Sequence, residues 1–171
     1  MFLDQNELNL CLEQMSRGGG AFLTVNDGEN LNTMTIAWGG IGFVWNRHVF
    51  TAYVSPLRFS AGILDKSLEF TVSIPCDSSF QTALALCGSK SGRDLDKIKA
   101  AGLSTIASKS GIITPIIAGA HWQFECKVLS RNPLTNDGFV AKNVLESVYH
   151  ARNVPLHVVY IGEILAAYKS E

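Results

Sequence analysis

The residues of this chain best suited to chemistry run from Cys87 to Lys97, in the order Cys-Gly-Ser-Lys-Ser-Gly-Arg-Asp-Leu-Asp-Lys. Small, hydroxylated and basic side chains fall together there, in what reads as a loop directly before a helical pattern. Ser89 and Ser91 can donate hydroxyl hydrogen bonds, and Gly88 and Gly92 let backbone amides approach a ligand closely. Lys90, Arg93 and Lys97 add positive charge, and the unpaired N–H groups of the following helix would point at the same place. Together these groups suit a phosphate. Neither Gly-x-x-x-x-Gly-Lys-Ser/Thr nor Gly-x-Gly-x-x-Gly occurs, so the common nucleotide fingerprints are missing. A solvated loop with Asp94 capping the next helix also accounts for these residues.

Two further segments offer related groups. Asn32-Thr33-Met34-Thr35-Ile36-Ala37-Trp38-Gly39 alternates hydroxyls with apolar side chains along a strand and ends on a large aromatic. Val54-Ser55-Pro56-Leu57-Arg58-Phe59-Ser60 marks a strand end and a helix start, with hydroxyls and one guanidinium beside unpaired helix N–H groups. Each segment alone reads as a half-buried strand or an ordinary capped helix. Three anion-friendly or amide-rich segments in one fold point instead to an assembled ligand site.

Other chemistries find little support. No Gly-x-Ser-x-Gly elbow is present. Cys87 beside Gly88 could act as a nucleophile with a distant histidine as base, but it closes the apolar run Ala83-Leu84-Ala85-Leu86 and reads as a packing residue. His48, His121, His150 and His157 lack metal-ligand spacing, so no metal site is expected. Cys11, Cys76, Cys87 and Cys126 lie far apart and read as free thiols in a reducing compartment.

The elements that position these groups fit one domain over residues 1–171, long enough for a full hydrophobic core. Net charge is −1, and the aromatic residues do not interleave with a basic stripe, so no nucleic-acid partner is expected. Charged residues make up 17%, below the roughly 25% of an average domain, which suits surface hidden in an oligomer. No apolar run approaches the ~18 residues of a membrane span, and the opening residues lack a basic stretch before an apolar core. The default address is the cytoplasm, with no membrane partner.

The pattern predicts a helix over residues 3–15, then strands over 21–25, 32–38, 48–54 and 69–74. Gly39, Gly40 and Gly42 permit a bend or bulge. Helices are expected over 58–66, 79–86 and 94–101, and near 140–150. Strand character returns at 103–107, 121–130 and 156–168, while 132–153 is the least readable stretch. Strands without regular βα alternation predict a mainly β, antiparallel barrel with short peripheral helices.

With these motifs in place, the sequence resembles the flavin reductase-like FMN-binding family, the flavoredoxin branch in particular. The resemblance rests on Asn32-Thr33-Met34-Thr35 with Trp38-Gly39, on Ser55-Pro56-x-Arg58, and on Glu69-Phe70-Thr71-Val72-Ser73-Ile74-Pro75. It continues through Cys87-Gly88-x-x-Ser91-Gly92-Arg93-Asp94-x-Asp96-Lys97, Glu125-Cys126-Lys127-Val128 and His157-x-x-Tyr160-x-Gly162-Glu163-Ile164. It implies a split β-barrel that forms a homodimer, with FMN near the interface. The stretch Met34, Thr35 and Ile36 would run along the isoalloxazine ring, giving it backbone and Thr35 hydrogen bonds. Ser55, Arg58, Ser60, Ser91, Gly92 and Lys97 would serve the ribityl chain and phosphate. Asn32, Phe59, Cys87 and Gly88 belong to the same cofactor-binding set, and His157 is a near-flavin candidate. The implied activity is an FMN-dependent oxidoreductase taking electrons from NADH or NADPH to a flavin or other acceptor. A flavoredoxin-like electron carrier with a protein redox partner is the alternative, and a non-redox ligand-binding barrel is a third. The flavin performs the chemistry, so no acid/base dyad is required of the protein.

Overall fold

The computed structural model describes residues 3–170; Met1, Phe2 and Glu171, at the ends of the expected domain, lie outside the described residues. The main sheet contains β1 (Ala21–Asn26), β2 (Leu31–Ile36), β3 (Gly39–Val44), β4 (Arg47–Val54) and β5 (Glu69–Ile74). Two short strands, β6 (Thr105–Ile106) and β7 (Ile116–Ile117), pair only with each other, and the long strands β8 (Trp122–Pro133) and β9 (Val158–Lys169) complete the main sheet. The helices are α1 (Gln5–Arg17), α2 (Phe59–Ser67), α3 (Gln81–Ser89), α4 (Lys97–Ala100) and α5 (Lys142–Leu145). No helix among the described residues is long and apolar enough to cross a membrane.

The seven strands are ordered β2-β1-β5-β8-β9-β4-β3, and every neighbouring pair is antiparallel. Strands β2 and β3 lie at opposite ends of that order, yet only Ala37 and Trp38 separate them in sequence. The sheet therefore has to curl until its ends meet. They meet at the Tyr53 N–H, which donates to the Trp38 carbonyl at 3.4 Å. The result is an antiparallel barrel split along this seam, with short helices around it. Register shifts in β8 between Glu125 and Cys126 and between Val128 and Ser130 bend the strand around the barrel.

Alternation along the strands fills the barrel. Phe50 lies 6.4 Å from the Phe70 ring and 5.5 Å from that of Phe124, all three fully buried. Gly162 of β9 leaves room for this cluster, because a Cβ there would meet the Phe70 ring at 2.5 Å. At the far end of the hairpin that β8 and β9 form, Pro133 pairs with Val158. The excursion 134–157 leaves and re-enters the sheet at that one point.

Most expected elements are present with ends shifted by one to three residues. The sharpest difference is β3. Gly39, Gly40 and Gly42 do not merely bend the chain but run through a strand that pairs with β4. The connecting turn uses Trp45 and Asn46 at φ 52 and 59, the left-handed pair of a two-residue hairpin, and Trp45 gives no turn signal in sequence. The strand expected over 103–107 shrinks to β6, and its partner β7 is not among the expected strands. The chemistry-bearing stretch is only partly a loop, since Cys87, Gly88 and Ser89 form the last turn of α3. The helix expected over 94–101 is the four-residue α4, capped by Asp96 rather than Asp94, whose carboxylate accepts the Lys99 N–H at 3.1 Å. That helix end is answered internally and supplies no dipole site. The helix near 140–150 is α5 followed by a π-turn, Glu146–His150.

Candidate functional site: a cationic cleft

A hollow of about 530 Å³ opens at the seam of the barrel. Its floor is the run from Met34 to Trp38, whose five consecutive residues all line it. Side chains of a strand alternate between faces, so consecutive lining residues mean that the hollow runs along the strand edge. β2 is an end strand of the sheet, and its outer edge offers N–H and C=O groups without a strand partner.

Ser55, Leu57, Arg58, Phe59 and Ser60 form one wall, where β4 turns into α2. The residues from Ser89 to Arg93, with Lys97, form the second. The third, apart from His157, was not legible in sequence. It comes from the excursion between β8 and β9 and presents Val148, Arg152, Val154, Pro155 and His157. Trp38 packs against it, its ring 5.0 Å from that of His157 and 6.4 Å from that of Tyr149.

Eleven of the fourteen residues singled out from sequence line this hollow, namely Met34, Thr35, Ile36, Ser55, Arg58, Phe59, Ser60, Ser91, Gly92, Lys97 and His157, while Asn32, Cys87 and Gly88 stand behind its walls. Asn32 is buried and donates from Nδ2 to Ser60 Oγ at 2.8 Å. Gly92 sits so close to Asn32 and to the Phe59 ring that a Cβ would collide with both. Asn32 thus ties the floor to two walls. Gly88 backs onto Thr35, and Cys87 is fully buried, its thiol pushed up by burial against a smaller opposite pull from Lys97. A thiol so placed is a packing group, not a nucleophile.

The hydroxyls divide into two kinds. Thr35 donates to the Leu84 carbonyl at 2.6 Å and Ser89 to Ala85 at 2.8 Å, which uses their protons to hold α3. The Thr35 side chain is therefore a brace, and a ligand ring would meet the strand's backbone instead. Ser60 accepts from Asn32, Ser91 accepts the Arg93 N–H at 3.2 Å, and Ser55 accepts the Leu57 N–H at 3.4 Å. These three keep their own O–H for a ligand acceptor.

The charges are of one sign. Arg58, Lys90, Arg93, Lys97 and Arg152 line the hollow and, among the described residues, no Asp or Glu does, in a chain with slightly more acidic than basic residues. Lys97 is 3% exposed, and its ammonium donates to the Cys87 carbonyl at 3.1 Å with no carboxylate partner among the described residues. Burial lowers its pKa, Cys87 pulls the other way, and the nearby Arg58 charge lowers it further. A buried ammonium answered by one carbonyl favours an arriving anion. His157 is likewise held below its ordinary value, by burial and then by Arg58, and its Nδ1 is buried without a partner. An anion beside Arg58 would raise both groups. Among the described residues, no cluster of His, Cys, Asp and Glu is arranged to hold a metal ion.

Lys90 and Arg93 are read from sequence only as charge in the loop, and Tyr53 and the third wall apart from His157 carry no signal there. The turn residues Asn153 and Pro155 flank part of that wall, but nothing in their spacing shows which way it folds.

Residues 16–171 match the family model described as the flavin reductase like domain. No curated protein matches the chain significantly. The fold is similar to that of an FMN-binding protein from Thermus thermophilus, at 23% identity over 86% of this chain and 68% of that one, with a TM-score of 0.66. It is also similar to flavoredoxin from Methanosarcina acetivorans, at 20% identity over 88% and 68% of the two chains, with a TM-score of 0.67. An NADH:FAD oxidoreductase from Streptomyces globisporus shares 15% identity over 88% and 74%, with a TM-score of 0.65. The match over most of its length, together with the split antiparallel barrel, makes this chain a member of the flavin reductase like domain family.

Proposed function

We propose that the cleft binds FMN and that the protein is an oxidoreductase passing electrons from NADH or NADPH through the flavin to a second flavin or another acceptor. The observation that carries this reading is the cleft's charge: Lys97 is buried against one carbonyl, Arg58 stands nearby, and no carboxylate among the described residues lines the hollow. Ser55, Ser60 and Ser91 would donate to the ribityl hydroxyls and phosphate, with Arg58, Lys97 and the close-set Gly92 backbone. The edge of β2 from Met34 to Ile36 would hold the ring along its polar rim, with Trp38 and His157 beyond it. Asn32 and Phe59 position that cradle, and Cys87 and Gly88 support it from behind. When bound, the flavin supplies hydride and single-electron chemistry. The chain's own part is to bind it, orient it and leave one face accessible.

The test is the visible spectrum of the purified protein before and after denaturation. Released FMN near one per chain is expected, and a colourless protein that takes up no added FMN would end the reading. Similarity to flavoredoxin favours a second reading, an electron carrier serving a protein partner. Steady-state oxidation of NADH and NADPH with added FMN separates the two, since a carrier shows none.

The reading includes a homodimer. Phe43, Val44 and Trp45 at the β3–β4 turn and Leu57 at the cleft rim are all exposed apolar side chains, which a second copy would cover. Sedimentation equilibrium at micromolar concentration should show a dimer; a single species near 18.6 kDa that still binds FMN would refute it. The cysteines Cys11, Cys76, Cys87 and Cys126 are unpaired, which suits the cytoplasm.

A further inference from the structure

Three side chains that do not line the cleft meet at one carboxylate. Asp65 of α2 accepts the Tyr160 hydroxyl at 2.6 Å and the Arg131 guanidinium at 2.7 Å from Nε and 3.3 Å from Nη2. Asp65 and Arg131 are exposed, and an isolated surface pair contributes little. This one is bidentate and is backed by Tyr160, which is fully buried. Burial and then Asp65 push the Tyr160 hydroxyl up to about 12, so it stays a donor at neutral pH.

A register shift brings the two partners together. Val128 of β8 pairs with Gly162 of β9, and the same pairing continued without a shift would set Ser130 opposite Tyr160. The shift between Val128 and Ser130 sets Arg131 there instead. An extra residue in one strand re-aims the side chains that follow it. Here it turns the guanidinium onto the face that Asp65 occupies.

Asp65 matters to the cleft through its helix. α2 has Arg58 at its N-cap and Phe59 and Ser60 in its first turn, and all three line the cleft. Among the described residues, no side chain caps that helix start. Near its start the helix is held by the Asn32–Ser60 hydrogen bond, and near its end by Asp65. One hydrogen bond fixes a point. A second anchor five residues on, more than one turn away, fixes the axis as well.

We propose that Asp65, held by Arg131 and Tyr160, is a positioning residue for the cleft: it sets the axis of α2 and so aims Arg58 at the phosphate of the ligand. This rests on the reading of the cleft as a flavin site.

The test uses the full-length protein with Asp65→Ala, Tyr160→Phe, Arg58→Ala and the double substitution of Asp65 and Arg58 by Ala. FMN and riboflavin are titrated by flavin fluorescence, and each variant is melted. Asp65→Ala should weaken FMN binding about threefold to tenfold, a part of the loss expected from removing Arg58 itself, and riboflavin by less than about twofold. Tyr160→Phe keeps the ion pair and should give a smaller loss of the same kind. In the Arg58→Ala background, Asp65→Ala should shift FMN affinity by less than about twofold, because the group it aims is gone, yet still lower the melting temperature. Glu125→Ala controls for stability alone, and should lower the melting temperature with flavin affinity unchanged. Asp65→Ala that weakens FMN equally with and without Arg58, weakens FMN and riboflavin alike, or leaves FMN unaffected overturns the proposal while the flavin reading stands. A wild-type protein that binds no flavin refutes the cleft reading first and this inference with it.

Discussion

Replacing Lys97 with Met is expected to weaken FMN binding about tenfold to a hundredfold or slightly more, while riboflavin binds almost as before. Lys97 is 3% exposed, and among the described residues its ammonium is answered by the Cys87 carbonyl alone. A charge-assisted hydrogen bond to a phosphate contributes roughly 1.5–3 kcal/mol, which sets that range of affinity. Riboflavin lacks the phosphate, so its affinity reports only the ring and ribityl contacts. Met preserves the length of the aliphatic stem and limits the cavity beside Cys87. Arg58→Ala should show the same split between the two ligands, and Lys90→Gln should leave FMN nearly untouched. A bound phosphate raises the lowered pKa of Lys97, so FMN affinity should fall as pH rises toward the ordinary lysine range. Titrating flavin fluorescence with both ligands gives the comparison. Equal losses for FMN and riboflavin would place Lys97 under the ring or in the fold, and the phosphate assignment would be wrong.

The second large effect is on stability. Glu125 of β8 is fully buried, and its carboxylate accepts the Lys109 N–H at 2.8 Å, the Ser110 N–H at 2.6 Å and the Tyr168 hydroxyl at 2.6 Å. Glu125→Ala leaves three donors without their acceptor. At about 1 kcal/mol or more for each, the loss is roughly 3 kcal/mol or more, or a melting temperature lower by roughly 6–12 °C for a chain of this size. Flavin affinity should not change, because none of these residues lines the cleft. The effect has a pH signature. Burial alone would raise the Glu125 carboxyl, but hydrogen bonds from Ser110, Tyr168 and Lys109 outweigh it and hold the group below its ordinary value. A depressed folded value means that the stabilisation is fully present above the unfolded value of about 4.3 and is lost as pH falls through the folded one. Thermal melts of both proteins should therefore converge in acid. A gap that stays constant below pH 4 would show that the carboxylate's charge contributes nothing.

Strand positions were legible wherever residue type and alternation agreed. Residues 69–74 came out with both ends correct, because Phe70, Val72 and Ile74 all face the core and Pro75 ends the run. Glycine hid β3, since Gly39, Gly40 and Gly42 carry no alternating side chains and pairing with β4 alone makes them a strand. In the cleft, hydroxyls and cations near turns were readable as anion donors. Which hydroxyls had protons to spare was not, because that depends on partners such as Asn32 and Leu84, 28 and 49 residues away. The third wall was invisible for a similar reason. His157 and Tyr149 find Trp38 across more than a hundred residues of chain, a contact that no local pattern encodes.

That third wall is joined to the barrel in a particular way. Pro133 and Val158 pair at the end of the β8–β9 hairpin, and the Leu134 N–H donates to the His157 carbonyl at 3.0 Å, so both feet of the excursion are fixed by the sheet. The entropic cost of closing such a loop rises only slowly with its length. Residues 134–157 are thus an exchangeable cassette. Substituting or resizing them redraws what that side of the cleft admits while the β-barrel and the inner cations stay as they are, so selection on ligand choice can proceed without selection on the fold.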